Sequence, residues 1–299
     1  MKSSAWVQDP KVPTLLRIAW HGARLGIEVK AGDVRRWQPA DYLFGSGRHG
    51  ITPVAALGAG RYLELPLSYY PTKGWDFTPG NQNFSPEKRM YHPAGVPCDY
   101  SLFLLCFDCH ATGVKKGTED LDLSHMRMGV QCERCHGAGE KHVRAAEQHL
   151  SLAETIRNPA KESAESLRRL CGECHRTEAP PGFPPEAPQL ARYAPVGLAR
   201  SRCYRESAGK LSCVSCHNPH QDAGNDEPNS EAVCRSCHDG KTSAARQCRV
   251  NPTSGCVGCH MPKLEAARDS LFTDHWIRIR RTASAETSAV PAVTGSLEH

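Results

Sequence analysis

Cys106-Phe-Asp-Cys109-His110 is the stretch of this sequence that decides the fold, because its pattern returns five more times along the chain. Each copy has two cysteines three positions apart and a histidine directly after the second. The other copies are Cys132–His136, Cys171–His175, Cys213–His217, Cys234–His238 and Cys256–His260. This C-x-x-C-H pattern is the attachment sequence of c-type haem. Six copies therefore predict six covalently attached haem c groups.

The spacing within each motif explains why these residue types suit haem. Residues three and four positions apart share one face of a helical turn. Both thiols can therefore form thioethers with the haem vinyl groups, while the histidine points at the iron as its proximal ligand. The predicted attachment residues are Cys106, Cys109, Cys132, Cys135, Cys171, Cys174, Cys213, Cys216, Cys234, Cys237, Cys256 and Cys259. The predicted proximal ligands are His110, His136, His175, His217, His238 and His260.

Three other classes of site use paired cysteines. Zinc ribbons do not need a histidine after every second cysteine. A disulfide framework is typical of secreted chains shorter than about 80 residues, and thioredoxin-like motifs occur once per βαβ unit. Haem attachment is therefore the favoured interpretation. For the cysteines outside the motifs, Cys98, Cys203 and Cys248, a Cys203–Cys248 disulfide and isolated buried thiols both stay open.

Nine further histidines compete for the second axial position of the irons. His299 ends the low-complexity tail Thr282–His299 and resembles an expression-tag remnant, so we exclude it. His220 lies three residues after His217, and this connection spans at most about 10 Å, which is too short to pass around the edge of a porphyrin. We therefore expect His220, and by the same reasoning His142, to bind neighbouring haems.

The demand for six distal ligands selects among the remaining histidines. No methionine is better placed, because Met261 follows His260 directly and points elsewhere. His21 and His149 stay as further alternatives. The candidate distal ligands are His49, His92, His125, His142, His220 and His275.

Composition and charge exclude several classes of protein. The 299 residues are 39% hydrophobic and 23% charged, with a net charge of +5 and a mean hydropathy of −0.51. No apolar run approaches the roughly 20 residues that a membrane helix needs. A charge of +5, without a basic block interleaved with aromatics, does not indicate a nucleic-acid partner. With so few apolar side chains, haem is predicted to supply much of the core.

The motifs divide the chain into three regions. Residues 1–97 carry no motif and are predicted to form a small β-rich or irregular N-terminal region, from the strand-like pieces Gly26–Val29, Tyr42–Phe44 and Arg61–Leu67. Residues 98–281 are the predicted hexahaem cytochrome c domain, and residues 282–299 a disordered tail.

The segments between the motifs indicate helices and loops. One helix is expected over Lys141–Ile156, and another from Asn158-Pro159 into Cys171. The predicted fold class is mainly α with extensive loops, a multihaem cytochrome c fold organised around a haem cluster.

Segments around the motifs resemble the cytochrome c-554-like multihaem family, whose members are often fused to tetratricopeptide repeats. The resemblance runs from about residue 40 to residue 280 and is carried by several stretches. These are Gly45-Ser-Gly-Arg-His49, Gly129-Val-Gln-Cys-Glu-Arg-Cys-His-Gly-Ala-Gly-Glu-Lys-His142, Leu211-Ser-Cys-Val-Ser-Cys-His-Asn-Pro-His220, Gly255-Cys-Val-Gly-Cys-His-Met-Pro-Lys263 and Thr273-Asp-His275. It implies periplasmic or otherwise extracytoplasmic electron transfer with mostly bis-histidine irons, and favours His49, His142, His220 and His275 as distal ligands.

Two departures from these relatives concern the ends of the chain. Relatives usually begin with an exported segment bearing a further C-x-x-C-H motif, which Met1–Gln38 lacks, and the tetratricopeptide extension is absent. Because covalent haem attachment implies export, we expect a leader that has been removed or an incomplete N-terminus.

The leading functional hypothesis is a hexahaem electron carrier that exchanges electrons with redox partner proteins, either other cytochromes or a quinone-linked donor. The alternative is an oxidoreductase that acts on a small nitrogen or sulfur species, such as nitrite, hydroxylamine or tetrathionate, at one haem with an open distal position. No C-x-x-C-K motif marks such a haem. Electron transfer is therefore favoured, and no catalytic residue is assigned.

Overall fold

The fold combines antiparallel sheets with short helices. The structure is a computed structural model that describes residues 2–81, 85–115, 122, 124–221, 227–240, 248–251, 254–267 and 270–280. It is 32% helical and 25% strand, with 10 helices and 14 strands in five sheets among these residues. The expectation of a mainly α fold is therefore wrong. The predicted tail of residues 282–299, with His299, lies outside the described residues.

The first sheet is a meander built from the N-terminal strands. Its order is β1-β2-β3-β4, with antiparallel neighbours throughout. Two-residue loops that start with Gly22 and Gly32 close its two long hairpins. Both glycines have positive φ, 61° and 58°, which the tight hairpin turn requires and a Cβ would strain. The strands are β1 Val7–Gln8, β2 Thr14–His21, β3 Arg24–Ala31 and β4 Val34–Pro39.

The second sheet and a separate hairpin complete the β part of the N-terminal half. The second sheet has the order β10-β7-β6-β5. Its strands are β5 Tyr42–Phe44, β6 Thr52–Gly58, β7 Arg61–Glu64 and β10 Val96–Asp99, and the hairpin consists of β8 Leu67–Tyr70 and β9 Gly74–Phe77. Leu16, Ile18, Ile27, Leu65 and Leu67 are fully buried among these strands. This part of the chain therefore has an aliphatic core of its own.

The prediction of a mainly α fold is wrong for a physical reason. The pieces predicted at Gly26–Val29 and Tyr42–Phe44 do lie in strands, but β2 adds a strand of eight residues that the sequence reading missed. Its apolar side chains alternate inward at Leu16 and Ile18, which is the period of a half-buried strand. Apolar residues that are scarce over the whole chain are concentrated here and form this core.

An aromatic cluster connects the second sheet to the first motif. Helix α2 (Tyr100–His110) begins after β10, where the Asp99 side chain accepts a hydrogen bond from the Leu102 N–H. The fully buried Phe103 stacks on Tyr62 at 3.7 Å and meets Tyr42 edge-on at 5.3 Å. Such aromatic pairs add stabilisation beyond the area that they bury. The motif Cys106–His110 therefore lies at the end of a helix held against a sheet.

The other helices are short and are joined by irregular segments. They are α1 Pro86–Tyr91, α3 Cys132–His136, α4 Glu140–Glu147, α5 Ala164–His175, α6 Ala194–Arg200, α7 Arg202–Glu206, α8 Cys213–Cys216, α9 Glu227–Cys237 and α10 Cys256–His260. Two further hairpins are formed by β11 Ala111–Thr112 with β12 Arg127–Met128, and by β13 Lys263–Ala267 with β14 Ser270–Thr273. A 3-10 helix, Pro188–Arg192, packs against the β13–β14 hairpin.

Both helices expected between the motifs are shorter than predicted. The helix predicted over Lys141–Ile156 ends at Glu147, because His149 has a positive φ of 55°. Glu154 also has a positive φ, 59°, so the helix does not resume there. Asn158 caps a single 3-10 turn, Pro159–Lys161, and α5 starts anew where the Ser163 side chain accepts from the Ser166 N–H. The intervening chain, residues 148–157, is thereby free of helix and folds back toward α3 and α4.

Membrane-spanning helices were searched for in the same described ranges. No helix there is both long and apolar enough to cross a bilayer.

Candidate functional site

Each of the six motifs forms or ends a helical turn. The first and third motifs end α2 and α5, and the second and sixth are the whole of α3 and α10. The fourth begins with α8, and the fifth ends α9 with His238 directly after it. The two cysteines of each motif therefore have the helical spacing on which the attachment chemistry depends.

The motif of α5 lies against three other motifs. Cys109 Sγ is 4.0 Å from the carbonyl oxygen of Cys174, and Arg134 Nη2 is 3.9 Å from Cys174 Sγ. The Cys171 thiol hydrogen-bonds with Cys213, and this contact lowers the pKa of Cys213 and raises that of Cys171. Sulfur atoms of different motifs thus lie side by side, although the motifs are far apart in sequence.

The last three motifs continue this series. Helix α8 packs against α9, and α9 packs against α10. Burial, together with the nearby Cys256 and Cys216, raises the pKa of the Cys234 thiol to about 12. Each motif from the third to the fifth therefore has the next motif as its neighbour.

Three candidate ligand histidines hydrogen-bond to backbone carbonyls through Nδ1. His136 Nδ1 lies 2.9 Å from the Arg157 oxygen, His260 Nδ1 lies 3.1 Å from the Arg278 oxygen, and His275 Nδ1 lies 2.9 Å from the Thr273 oxygen. A carbonyl oxygen only accepts, so Nδ1 must carry the proton in each ring. The lone pair is then on Nε2, and in this tautomer Nε2 can bind a metal ion.

His142 has the same arrangement with a side-chain acceptor. Its Nδ1 is 2.9 Å from Thr155 Oγ1. The Thr155 hydroxyl donates its one proton to the Leu152 carbonyl at 2.8 Å, so its oxygen can only accept from His142. The half-buried His142 ring therefore also has its lone pair on Nε2.

Two pairs of histidine rings, each with one motif histidine, are close neighbours. The ring centroids of His136 and His220 are 6.0 Å apart, with planes 13° apart. Those of His217 and His275 are 6.1 Å apart, with planes 37° apart. Among the described residues, no group of three or more His, Cys, Asp or Glu side chains could hold a metal ion. The histidines meet in pairs.

Burial favours the uncharged form of the rings near His217. It lowers the pKa of His175 and of His275, and the neighbouring His217 lowers both further, although the Thr273 carbonyl partly opposes this for His275. The neutral imidazole is the form that coordinates iron. The electrostatics and the hydrogen bonding therefore favour the same state of His275.

The other candidate distal ligands have different surroundings. His49 stacks on Phe272 of β14 at 5.1 Å, three residues before His275. His92 is exposed at the C-terminal end of α1. His125 is also exposed, and its Nδ1 lies 3.0 Å from Lys115 Nζ and 2.7 Å from Ser124 Oγ. In the described part of the chain, none of these three rings faces a motif histidine.

The alternative candidate His21 has a contact that competes with iron binding. Its Nε2 is 2.6 Å from Glu28 Oε1, and its ring stacks on Trp37 at 4.5 Å. A carboxylate only accepts hydrogen bonds, so Nε2 of His21 carries a proton. His21 belongs to the surface of the first sheet.

Sequence reasoning missed the groups that orient the ligand rings. Three of the four acceptors are backbone carbonyls, which any residue type supplies, so no sequence pattern could reveal them. Thr155 is the one side-chain acceptor, and it reaches His142 only because the expected helix ends early. The Cys98, Cys203 and Cys248 thiols are not joined in disulfides.

Comparison with known proteins supports the resemblance found in the sequence. Residues 79–137 match the model of the family described as cytochrome c554 and c-prime. This segment contains the first two C-x-x-C-H motifs, and the match confirms the suspected resemblance to the cytochrome c-554-like family. It supports a c-type cytochrome role in electron transfer with covalently bound haem c. No curated protein and no solved structure matches the chain.

Proposed function

We propose that this chain is a hexahaem c-type cytochrome that conducts electrons through closely packed haems, most of them ligated by two histidines. The observation that carries the proposal is the facing pair of His136 and His220. An imidazole nitrogen binds a metal ion at about 2 Å and its ring centre lies about 1 Å farther on, so two imidazoles on opposite faces of one iron have centres about 6 Å apart. The centroid distance of 6.0 Å fits this requirement.

The same reasoning assigns two distal ligands to particular haems. His220 would be the distal ligand of the haem attached at Cys132 and Cys135, although it lies three residues after His217. His275 would be the distal ligand of the haem attached at Cys213 and Cys216, because its ring faces that of His217 at 6.1 Å. This cross-ligation agrees with the short chain reach from His217 to His220.

The order of the motifs supports conduction through a series of haems. The thiols of Cys171 and Cys213 are hydrogen-bonded, and Cys109 reaches the backbone of Cys174. Each thioether sulfur is bonded to the former vinyl carbon that is attached to the porphyrin ring, so neighbouring sulfurs favour neighbouring haem edges. When bound, haem supplies the one-electron chemistry, while the chain fixes spacing and tunes potentials through ligands, burial and local charge.

The charge of the chain suits this cofactor load. A ferric bis-histidine haem with two ionised propionates carries about −1, so six haems offset the formal charge of +5. The basic surplus is thus explained as counter-charge for propionates. The proposed partners are other cytochromes or a quinone-linked donor, and the proposed location is the periplasm or another extracytoplasmic compartment.

The proposed regions follow the sequence prediction. Residues 1–97 would form a haem-free scaffold, and residues 98–281 would hold the haems. The remaining candidate ligands, His49, His92, His125 and His142, would serve the other irons.

Counting haems and their spin states tests the proposal. Pyridine haemochrome absorbance per chain is expected to give six haems, and electron paramagnetic resonance of the oxidised protein is expected to show mainly low-spin iron. Fewer haems would contradict the hexahaem assignment. A substantial high-spin signal that shifts with nitrite or cyanide would favour an oxidoreductase with an open iron instead.

A further inference from the structure

We propose that Thr155 is a positioning residue that sets the orientation of the His142 ligand and thereby lowers the reduction potential of the haem that His142 serves. The inference rests on the proposed function, in which His142 is a distal ligand. Its geometric basis is the pair of hydrogen bonds from the His142 ring to Thr155 Oγ1 and from that hydroxyl to the Leu152 carbonyl, at 2.9 and 2.8 Å.

The second hydrogen bond gives the first its direction. A threonine hydroxyl has one proton and two lone pairs. Because the proton is donated to Leu152, the oxygen presents only lone pairs to the His142 ring. The hydroxyl therefore selects the tautomer with Nε2 free to coordinate and fixes the plane of the ring about the Nε2–iron direction.

The same hydrogen bond changes the electron donation of the ligand. An imidazole that donates its Nδ1 proton to an acceptor becomes a more basic ligand at Nε2. A more basic ligand stabilises ferric over ferrous iron, so the reduction potential falls. Removal of the acceptor is therefore expected to raise the potential of one haem.

The backbone around Thr155 is held firmly enough for this role. Two residues later, the Arg157 carbonyl accepts from His136 Nδ1 at 2.9 Å. The Arg157 guanidinium makes two hydrogen bonds to the Glu162 carboxylate, at 2.6 and 2.9 Å. Residues 155–157 thus hold rings assigned to two different irons, but only the Thr155 contact can be removed by changing a side chain.

The test is Thr155→Val in the haem-loaded protein, read out by potentiometric titration and by electron paramagnetic resonance. Valine keeps the shape of the side chain and removes the hydroxyl. We expect all six haems to remain, one midpoint potential to shift upward and one low-spin signal to change its g values. Thr155→Ser, which keeps the hydroxyl, is expected to restore the wild-type values. If the valine variant does not accumulate, Thr155→Ala carries the same expectation without added volume.

A matched control distinguishes the effect of losing the Thr155 hydroxyl from the effect of losing a threonine hydroxyl elsewhere in the chain. Thr78 Oγ1 also donates to a backbone carbonyl, that of Leu65 at 2.7 Å, and contacts Ser68 Oγ at 2.8 Å. It lies in the N-terminal half and is 2% exposed. Thr78→Val is expected to leave every potential and every low-spin signal unchanged.

The His142→Ala variant distinguishes failure of this inference from failure of the ligand assignment. If His142→Ala converts one low-spin haem while Thr155→Val changes neither a potential nor a signal, the role of Thr155 is wrong and the ligand assignment stands. If His142→Ala leaves all low-spin signals in place, His142 is not a ligand and both proposals about it fail.

Discussion

The imidazole rings of His136 and His220 face each other with centroids 6.0 Å apart and planes within 13° of parallel. One ring belongs to the second motif and the other follows the fourth motif. If both bind one iron, His220→Ala leaves that iron with one protein ligand. We therefore expect one haem to change from low spin to high spin, measured by electron paramagnetic resonance and by the charge-transfer absorbance of ferric high-spin haem.

A second variant identifies the haem that changes. Replacement of both Cys132 and Cys135 by alanine removes the haem of the second motif. In that background His220→Ala is expected to convert no further haem, because its iron is already missing. A further loss of low-spin signal would show that His220 serves another iron. The corresponding pair of experiments applies to His275 with Cys213 and Cys216.

The angles between ring planes predict how the two paired haems differ. Near-parallel imidazoles interact unequally with the two iron dπ orbitals and separate their energies, whereas crossed imidazoles leave them closer together. The His136–His220 pair, at 13°, should therefore give the more rhombic low-spin signal, and the His217–His275 pair, at 37°, the larger maximal g value. Difference spectra of His220→Ala and His275→Ala isolate the two signals. The reverse order would contradict these ring geometries.

The features that the sequence predicts are those that a short stretch of residues determines. The C-x-x-C-H motifs are local, and their helical turns follow from spacing alone. The limited reach of His220 from His217 is also local, and it pointed to a neighbouring haem. The proximity of His220 to His136 depends on two distant parts of the chain coming together, which no single stretch encodes.

Strand β2 and the contact of Thr155 with His142 are features that no short sequence motif predicts. The low apolar content of the whole chain does not indicate strand β2, because its apolar residues, such as Leu16 and Ile18, are concentrated locally. The Thr155 contact was hidden because a helix was expected to continue past Glu147. Positive φ at His149 ends it, and this conformation is uncommon for residues other than glycine.

A buried ion pair fastens the first helix to the first sheet. The side chains of Asp9 and Arg89 are each 3% exposed, with Nη2 and Oδ2 3.0 Å apart. Asp9→Ala leaves the guanidinium buried without its counter-charge, so we expect the free energy of unfolding to fall by about 3–5 kcal/mol. Urea unfolding followed by far-UV circular dichroism measures this change, and the haem spectrum is expected to stay unchanged.

Two further variants control the ion-pair prediction. Glu206→Gln breaks an ion pair with Arg202 whose side chains are 61% and 81% exposed, and is expected to change stability by less than about 1 kcal/mol. The double variant Asp9→Leu with Arg89→Met removes both charges and should recover much of the loss. Equal losses in Asp9→Ala and Glu206→Gln would show that burial of the pair has no effect.

Helix α5, which carries the third motif, should be sensitive to acid. Hydrogen bonds from Arg168 and Arg169 lower the pKa of Glu165 from 4.5 to about 2. Because the folded pKa is depressed, this carboxylate contributes stability above about pH 4.5, and that contribution is lost as the pH falls toward 2. Glu165→Gln is therefore expected to be less stable than wild type at pH 7 and equally stable near pH 2. Since the side chain is 44% exposed, the difference at pH 7 should not exceed about 1 kcal/mol. A difference that stays constant with pH in urea titrations would contradict the assignment.

The third motif occupies the junction of the proposed haem series. Its Cys174 contacts Cys109 of the first motif and Arg134 of the second, and its Cys171 contacts Cys213 of the fourth. Removal of the third haem by Cys171→Ala with Cys174→Ala should leave the connection between His217 and His220 as the remaining route from the first two haems to the last three. After rapid reduction by a pulse of electrons, we expect redistribution among the remaining haems to become biphasic, with a slow phase absent from the wild type.

The sixth motif provides the matched control, because its helix α10 packs against α9 at the end of the series. Cys256→Ala with Cys259→Ala also removes one haem but interrupts no path between the others. Redistribution in this variant should therefore keep the single fast phase of the wild type. If both variants redistribute electrons equally fast, electrons bypass the third haem and the junction is wrong. If both slow down equally, loss of a haem disturbs the packing generally, and the contacts of Cys171 and Cys174 do not define the path.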